Sequence, residues 1–259
     1  MSKSKSILQI SIVYILWILF SVFFDQLTGL STFILSLRER LEFPQLVMIN
    51  FNYLIKIVLF TIILIRLVFK HTFRESGFCC CDKETLLITG SVLLFLIAIT
   101  LLGEIIGDYM YYRSNKAMLL VFAINQFVLV ALAEESVFRG FITNKLLRFT
   151  SEKRQSFYVA ILISACLFTL MHLPFYLMFG DTMGLLQRIL IPFLLGIWLA
   201  VYYAYTKNLI ICIVIHSAYN LISICTFDTF SFICYGIYWV FMILYLVFTI
   251  RKRKTPLIG

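Results

Sequence analysis

Residues 133–140 read Ala133-Glu134-Glu135-Ser136-Val137-Phe138-Arg139-Gly140, inside an apolar run that lasts from about Met118 to Phe149. An apolar run of that length is long enough to cross a bilayer as a helix. Each charge at the centre of a membrane helix costs roughly 2.5–3.5 kcal/mol, even on the lenient insertion scale. Two carboxylates and an arginine within six residues therefore require compensation. On an α-helix Glu135 and Arg139 are four apart, share a face and can pair. Glu134 points about 100° away from Glu135 and finds no counter-charge on its own helix.

The rest of the chain is of the same kind. Of its 259 residues 62% are hydrophobic and 14% are charged, and mean hydropathy is +0.98. This composition implies an all-α fold, a polytopic membrane helical bundle in a lipid bilayer. The net charge of +9 comes from basic residues spread over the loops between apolar runs. That is a topology signal, and it argues against nucleic acid as a partner. The cysteines form no framework. Cys166, Cys212, Cys225 and Cys234 stand singly in apolar runs, and the consecutive Cys79, Cys80 and Cys81 suit neither a disulfide nor a C-x-x-C metal site. Cys79, Cys80 and Cys81 read as reduced thiols in a cytosolic loop, with acylation at the membrane surface as the alternative, and the other four as small apolar residues.

About eight spans are expected: Ile7–Phe24, Leu46–Ile65 with Lys56 inside it, Leu86–Ile106, Met118–Phe149, Phe157–Phe179, Leu185–Tyr205, Leu209–Phe227 and Phe230–Ile250. The first has no small-residue cleavage site after it and reads as a retained span. No internal repeat or long linker divides the chain, so residues 1–259 read as a single membrane domain, with helices four to seven, residues 118–226, as its candidate catalytic core. Of the 22 Lys and Arg, 15 fall on the side that holds both termini and five on the other. The excess places both termini in the cytoplasm.

Helix depth brings the unusual residues together. With ~1.5 Å rise per residue, Glu134 lies ~16 Å above Lys145 and His172 lies ~22 Å above Phe157. By the same count His216 lies ~13 Å above Lys207 and Asn220 ~19 Å above it. Three helices can thus deliver a carboxylate, two imidazoles and an amide to one layer. His216 and Asn220 are four apart and share a face. Pro174 cannot donate to the carbonyl of Leu170, which frees that group and favours a kink beside His172. An intramembrane His or Asn standing alone is most often a helix–helix hydrogen-bonding residue. The full set at one depth points to a functional site.

Three motifs occur in order. Glu134-Glu135-Ser136-Val137-Phe138-Arg139 reads E-E-x-x-x-R, Phe168-Thr169-Leu170-Met171-His172 reads F-x-x-x-H, and His216-Ser217-Ala218-Tyr219-Asn220 reads H-x-x-x-N. Together they resemble the CPBP family of intramembrane proteases, over roughly Leu119 to Ile224. That family includes the CAAX prenyl endopeptidases and the bacterial Abi proteins linked to bacteriocin processing and self-immunity. The resemblance implies that Glu134 and His172 activate a water for attack on a peptide bond. It also implies that His216 and Asn220 stabilise the oxyanion and that Glu135 and Arg139 shape the site. The chemistry suits these roles: a carboxylate beside imidazole in a dry pocket is a general base, and an amide and an imidazole N–H on one helix face are oxyanion donors. The substrate would be a membrane-associated peptide or protein. The short loops suit a bacterial plasma-membrane member.

Three other readings compete. A metal variant has Glu134, His172 and His216 as a His₂Glu zinc set with a bound water. No H-E-x-x-H helix is present, and Asn220 suits an oxyanion donor better than a ligand, so the expectation is a site with no cofactor and no metal. A non-catalytic binding or bacteriocin self-immunity protein would keep the fold and survive loss of Glu134. A proton-coupled transporter would use the buried carboxylates, but the interrupted helix pairs of transporters are missing from the sequence.

Overall fold

The structure is a computed structural model that describes residues 3–30, 32–33, 36–37, 50–78, 82–106, 116–149, 154–173, 185–225 and 228–253. The stretch from Arg38 to Pro44, Cys79–Cys81, Arg113 and Pro174 lie outside the described residues. The described residues are helical with no strand. The apolar runs form α1 (Lys3–Thr28), α2 (Phe51–Val68), α3 (Lys83–Ile106), α4 (residues 116–149), α5 (Arg154–Leu170), α6 (Leu185–Thr206), α7 (Leu209–Cys225) and α8 (Asp228–Arg253). Six of them, α1 to α4, α6 and α8, are long and apolar enough to cross a membrane, while α5 and α7 are shorter apolar helices. The protein is an integral membrane helical bundle.

The fifth helix is interrupted beside His172. α5 runs to Leu170, Met171 and His172 form a turn, and Leu173 is helical again, while residues 174–179 lie outside the described residues. Met171 N–H donates to Leu167 O at 3.2 Å and His172 N–H to Thr169 O at 3.0 Å, so the last turn tightens. The interruption lies beside His172, where a kink is expected because Pro174 has no N–H to donate to Leu170 O.

Lipid-facing sides are apolar and exposed. Leu94 on α3 and Leu244 on α8 are examples, at 68% and 64% exposure. α4 is different, since every residue from Ala133 to Lys145 is buried. A helix buried on all faces must be surrounded, and three apolar clusters surround this one. The first joins α3, α6, α7 and α8 and reaches Ala131. The second joins Trp17 of α1, Phe60 of α2 and Phe168 of α5 to Val137, Phe138 and Phe141. The third packs Leu147 against α5 and α6.

Small residues bring α5 and α6 close. Gly196, Ala200 and Ala204 repeat every four residues, so they line one face of α6. A Cβ on Gly196 would lie 3.2 Å from Ala165 Cα, so the two backbones leave little room for a larger side chain. α4 itself is widened. Residues 125–130 and 136–143 are π-helical, bonding five residues back, a local geometry often found beside functional sites. The second of these turns begins directly after Glu135.

The segment after α2 folds inward under α4. His71 Nε2 contacts Gly140 O at 3.1 Å, and Tyr203 OH donates to Ser76 O at 3.0 Å. The Asn144 amide donates to Glu75 O. Leu209 N–H donates to Gly77 O at 2.9 Å. Gly77 has φ +87°, and a Cβ there would meet Lys207 O at 2.4 Å, so only glycine fits. This clasp joins α4, α6 and α7 at one end of the bundle.

Candidate active site

The widened middle of α4 holds Glu134, Glu135 and Arg139, all at most 2% exposed. Glu135 Oε1 receives Arg139 Nη1 at 2.9 Å, the pair the four-residue spacing predicts. The guanidinium also lies 4.1 Å over the Phe168 ring and 3.5 Å from Gly196 O. The glycine on α6 thus brings a carbonyl close to the arginine. Phe168, the aromatic of F-x-x-x-H, packs against three polar groups. It covers Arg139, and its centroid is 5.1 Å from the His172 ring and 5.8 Å from the His216 ring.

His216 comes in from α7 between the two glutamates. Its Nδ1 is 2.7 Å from Glu135 Oε1 and its Nε2 is 3.8 Å from Glu134 Oε2. A carboxylate only accepts, so Nδ1 carries a proton. Nε2 therefore faces Glu134 across a gap too long for a direct hydrogen bond. A gap of this kind suits a bridging water. Glu134 Oε2 is buried and has no hydrogen-bond partner among the described residues.

His172 shows the same polarity. Its Nδ1 is 2.8 Å from Phe168 O, so Nδ1 donates and Nε2 is the acceptor in the neutral ring. Asn220, one turn beyond His216, is oriented from α4: its Nδ2 donates to Gln126 Oε1 at 2.9 Å. Ser217 Oγ, between them, donates to Gln126 O at 3.0 Å. Of the six residues singled out from sequence, three lie on α4, His216 meets both glutamates from α7, and His172, after α5, is joined to His216 and Arg139 through Phe168. His216 pairs with the glutamates, whereas Asn220 pairs with Gln126.

Two participants escaped the sequence reading. Tyr53 on α2 donates its hydroxyl to Glu134 Oε1 at 2.7 Å. Gln126 lies eight residues before Glu134, and a polar amide in an apolar run could have flagged it. Tyr53 gave no such signal, because tyrosine is ordinary near a membrane interface. Among the described residues no three His, Cys, Asp or Glu side chains are arranged to hold a metal ion. Glu134 Oε2 and His216 Nε2 stand 3.8 Å apart, and His216 Nδ1 is already engaged by Glu135.

Residues 116–222 match the family described as type II CAAX prenyl endopeptidase Rce1-like. The match runs from the start of α4 into α7 and contains all three motifs. It is to the same family of intramembrane CAAX proteases that the motifs resemble. The first three helices lie outside it. No curated protein and no solved structure gives a match.

Proposed function

We propose that the protein is an intramembrane endopeptidase that hydrolyses a peptide bond of a membrane-associated peptide or protein with a water activated by Glu134. The observation that carries this reading is the uncommitted Oε2 of Glu134. It is buried, it lacks a hydrogen-bond partner among the described residues, and it faces an imidazole nitrogen at 3.8 Å. A water held there gives its proton to Oε2 while its oxygen attacks the scissile carbonyl carbon. His172 Nε2, an acceptor by its tautomer, orients the same water. The carbonyl oxygen becomes an oxyanion that takes hydrogen bonds from the Asn220 amide and from His216 Nε2 in the imidazolium form. Glu134 then returns the proton to the leaving amine nitrogen as the C–N bond breaks. Glu135, braced by Arg139, fixes the His216 ring, and no step needs a metal or an organic cofactor.

The test uses purified protein in detergent and a quenched fluorescent peptide ending in a farnesylated CAAX sequence. Glu134→Gln keeps the shape but cannot take a proton from water. It is expected to fold and to lose ~10²–10⁴ of turnover. A membrane proteome search for a precursor that accumulates with Glu134→Gln identifies the natural substrate. A folded Glu134→Gln protein that cleaves at the wild-type rate overturns the reading. Full biological activity without Glu134 supports a binding or immunity protein instead.

A further inference from the structure

We infer that Lys56, acting with Tyr53, is the counter-ion of Glu134, supplied from a helix outside the matched segment. The starting point is the charge count of the buried layer. Glu135 is neutralised by Arg139 on its own helix. Glu134 has no such partner on α4. A carboxylate and an ammonium each isolated in this layer would both be costly.

Lys56 is 6% exposed and lies in the early turns of α2. It does not snorkel to an interface. Its ammonium is 4.6 Å from the Trp17 ring centroid, 4.3 Å from that of Tyr53 and 6.0 Å from that of Phe20. Aromatic faces hold a cation without neutralising it. Glu134 is the carboxylate whose charge acts on this ammonium. Tyr53 connects them, with its ring against the ammonium and its hydroxyl on Glu134 Oε1 at 2.7 Å. Tyr53 and Lys56 are three apart and share a face of α2.

The separation itself is functional. A contact salt bridge would occupy the carboxylate that must receive the proton. An ammonium set behind a tyrosine compensates the charge at longer range, because screening is weak in a dry interior. Oε1 is held by Tyr53 and Oε2 is left toward His216. The groups acting on Glu134 are then Tyr53 and Lys56 from α2, His172 after α5 and His216 from α7, whose other ring nitrogen is on Glu135, itself paired with Arg139. Lys56 is a positioning residue and does not touch the substrate.

The experiment is a double-mutant cycle on thermal unfolding of the full chain in detergent. The variants are Lys56→Met, Glu134→Gln, their combination and Lys56→Arg. Lys56→Met is expected to lower the melting temperature by several degrees, and Lys56→Arg to restore most of it. In the Glu134→Gln background the Lys56→Met drop is expected to shrink to less than half. An equal drop, or an equal failure to fold, in both backgrounds overturns the inference, as does no drop in either. Tyr53→Phe supplies the turnover arm on the farnesylated peptide: kcat is expected to fall about ten- to a hundredfold, the value of a hydrogen bond to a charged group, with KM unchanged. Unchanged kcat removes Tyr53 from the proposal. That arm rests on the endopeptidase reading, whereas the stability cycle does not, so the two fail separately.

Discussion

Nδ1 of His216 stands 2.7 Å from Oε1 of Glu135, the same oxygen that receives the Arg139 guanidinium. One carboxylate oxygen thus fixes a structural cation and a functional ring together. The second glutamate of the E-E pair is therefore more than a neighbour of the first.

Removing it uncovers two groups. Glu135→Ala leaves a buried guanidinium unpaired, a penalty of ~3–5 kcal/mol, and frees the His216 ring. Folded yield after extraction is expected to fall together with activity. Adding Arg139→Ala is expected to recover part of the yield and none of the activity. Size-exclusion yield and peptide cleavage, measured on the single and double variants, check both. Glu135→Gln that is folded and inactive, beside a fully active Glu134→Gln, reverses the assigned roles.

Chelation separates the metal-free mechanism from its zinc variant. Activity is expected to persist after exhaustive treatment with a strong chelator, since the proposed steps use only side chains of the chain itself. Stoichiometric zinc lost with activity and restored with it refutes that expectation.

Membrane orientation follows from the loop charges. With eight spans, Lys3 and Lys5 at one end and Arg251, Lys252, Arg253 and Lys254 at the other are expected to share a side with most of the basic residues. Both termini are expected in the cytoplasm. Reporter fusions after Gly259 that fluoresce only in the cytoplasm, or are enzymatically active only outside it, decide the matter.

Acid is expected to loosen the clasp under α4. Burial pushes the His71 imidazole below its ordinary 6.5, although the Glu75 charge and the Gly140 carbonyl pull it back part of the way. Burial raises the Glu75 carboxyl, but hydrogen bonds from Thr72 and the nearby His71 and Arg148 outweigh it, and the group ends below its ordinary value. Both shifts have the same sign: the unfolded chain binds more protons than the folded one as pH falls below about 6.5. The melting temperature is expected to decline from pH 7.5 to pH 5.5. His71→Gln, which keeps a donor for Gly140 O, flattens the decline. An unchanged slope in His71→Gln removes the histidine from the account.

Much of this architecture was legible because membrane helices follow hydropathy. The eight apolar runs became eight helices, and Glu135 with Arg139 followed from four-residue spacing alone. Depth counting put Glu134 and His216 at similar heights, and their side chains stand 3.8 Å apart, because rise per residue is nearly constant along a helix. What stayed hidden depends on how each helix is rotated about its own axis. Spacing says that His216 and Asn220 share a face, but it does not say that His216 meets the glutamates while Asn220 meets Gln126. The Tyr53 contact joins residues 81 apart in sequence, and no local periodicity encodes it. The interruption of α5 at Met171 and His172 was visible in Pro174, which predicts a kink there.

The burial of α4 on every side has a consequence for biosynthesis. The helix enters the membrane carrying Glu135 and Arg139 as a ready-made neutral pair, and α1 and α2, with Lys56 between Trp17 and Tyr53, have been made before it. His216 and Asn220 are translated later, with α7. A nascent chain that stops after α5 holds Glu134 but neither residue from α7. The growing protein is thus its own precursor in time, without the complete site until α7 is made.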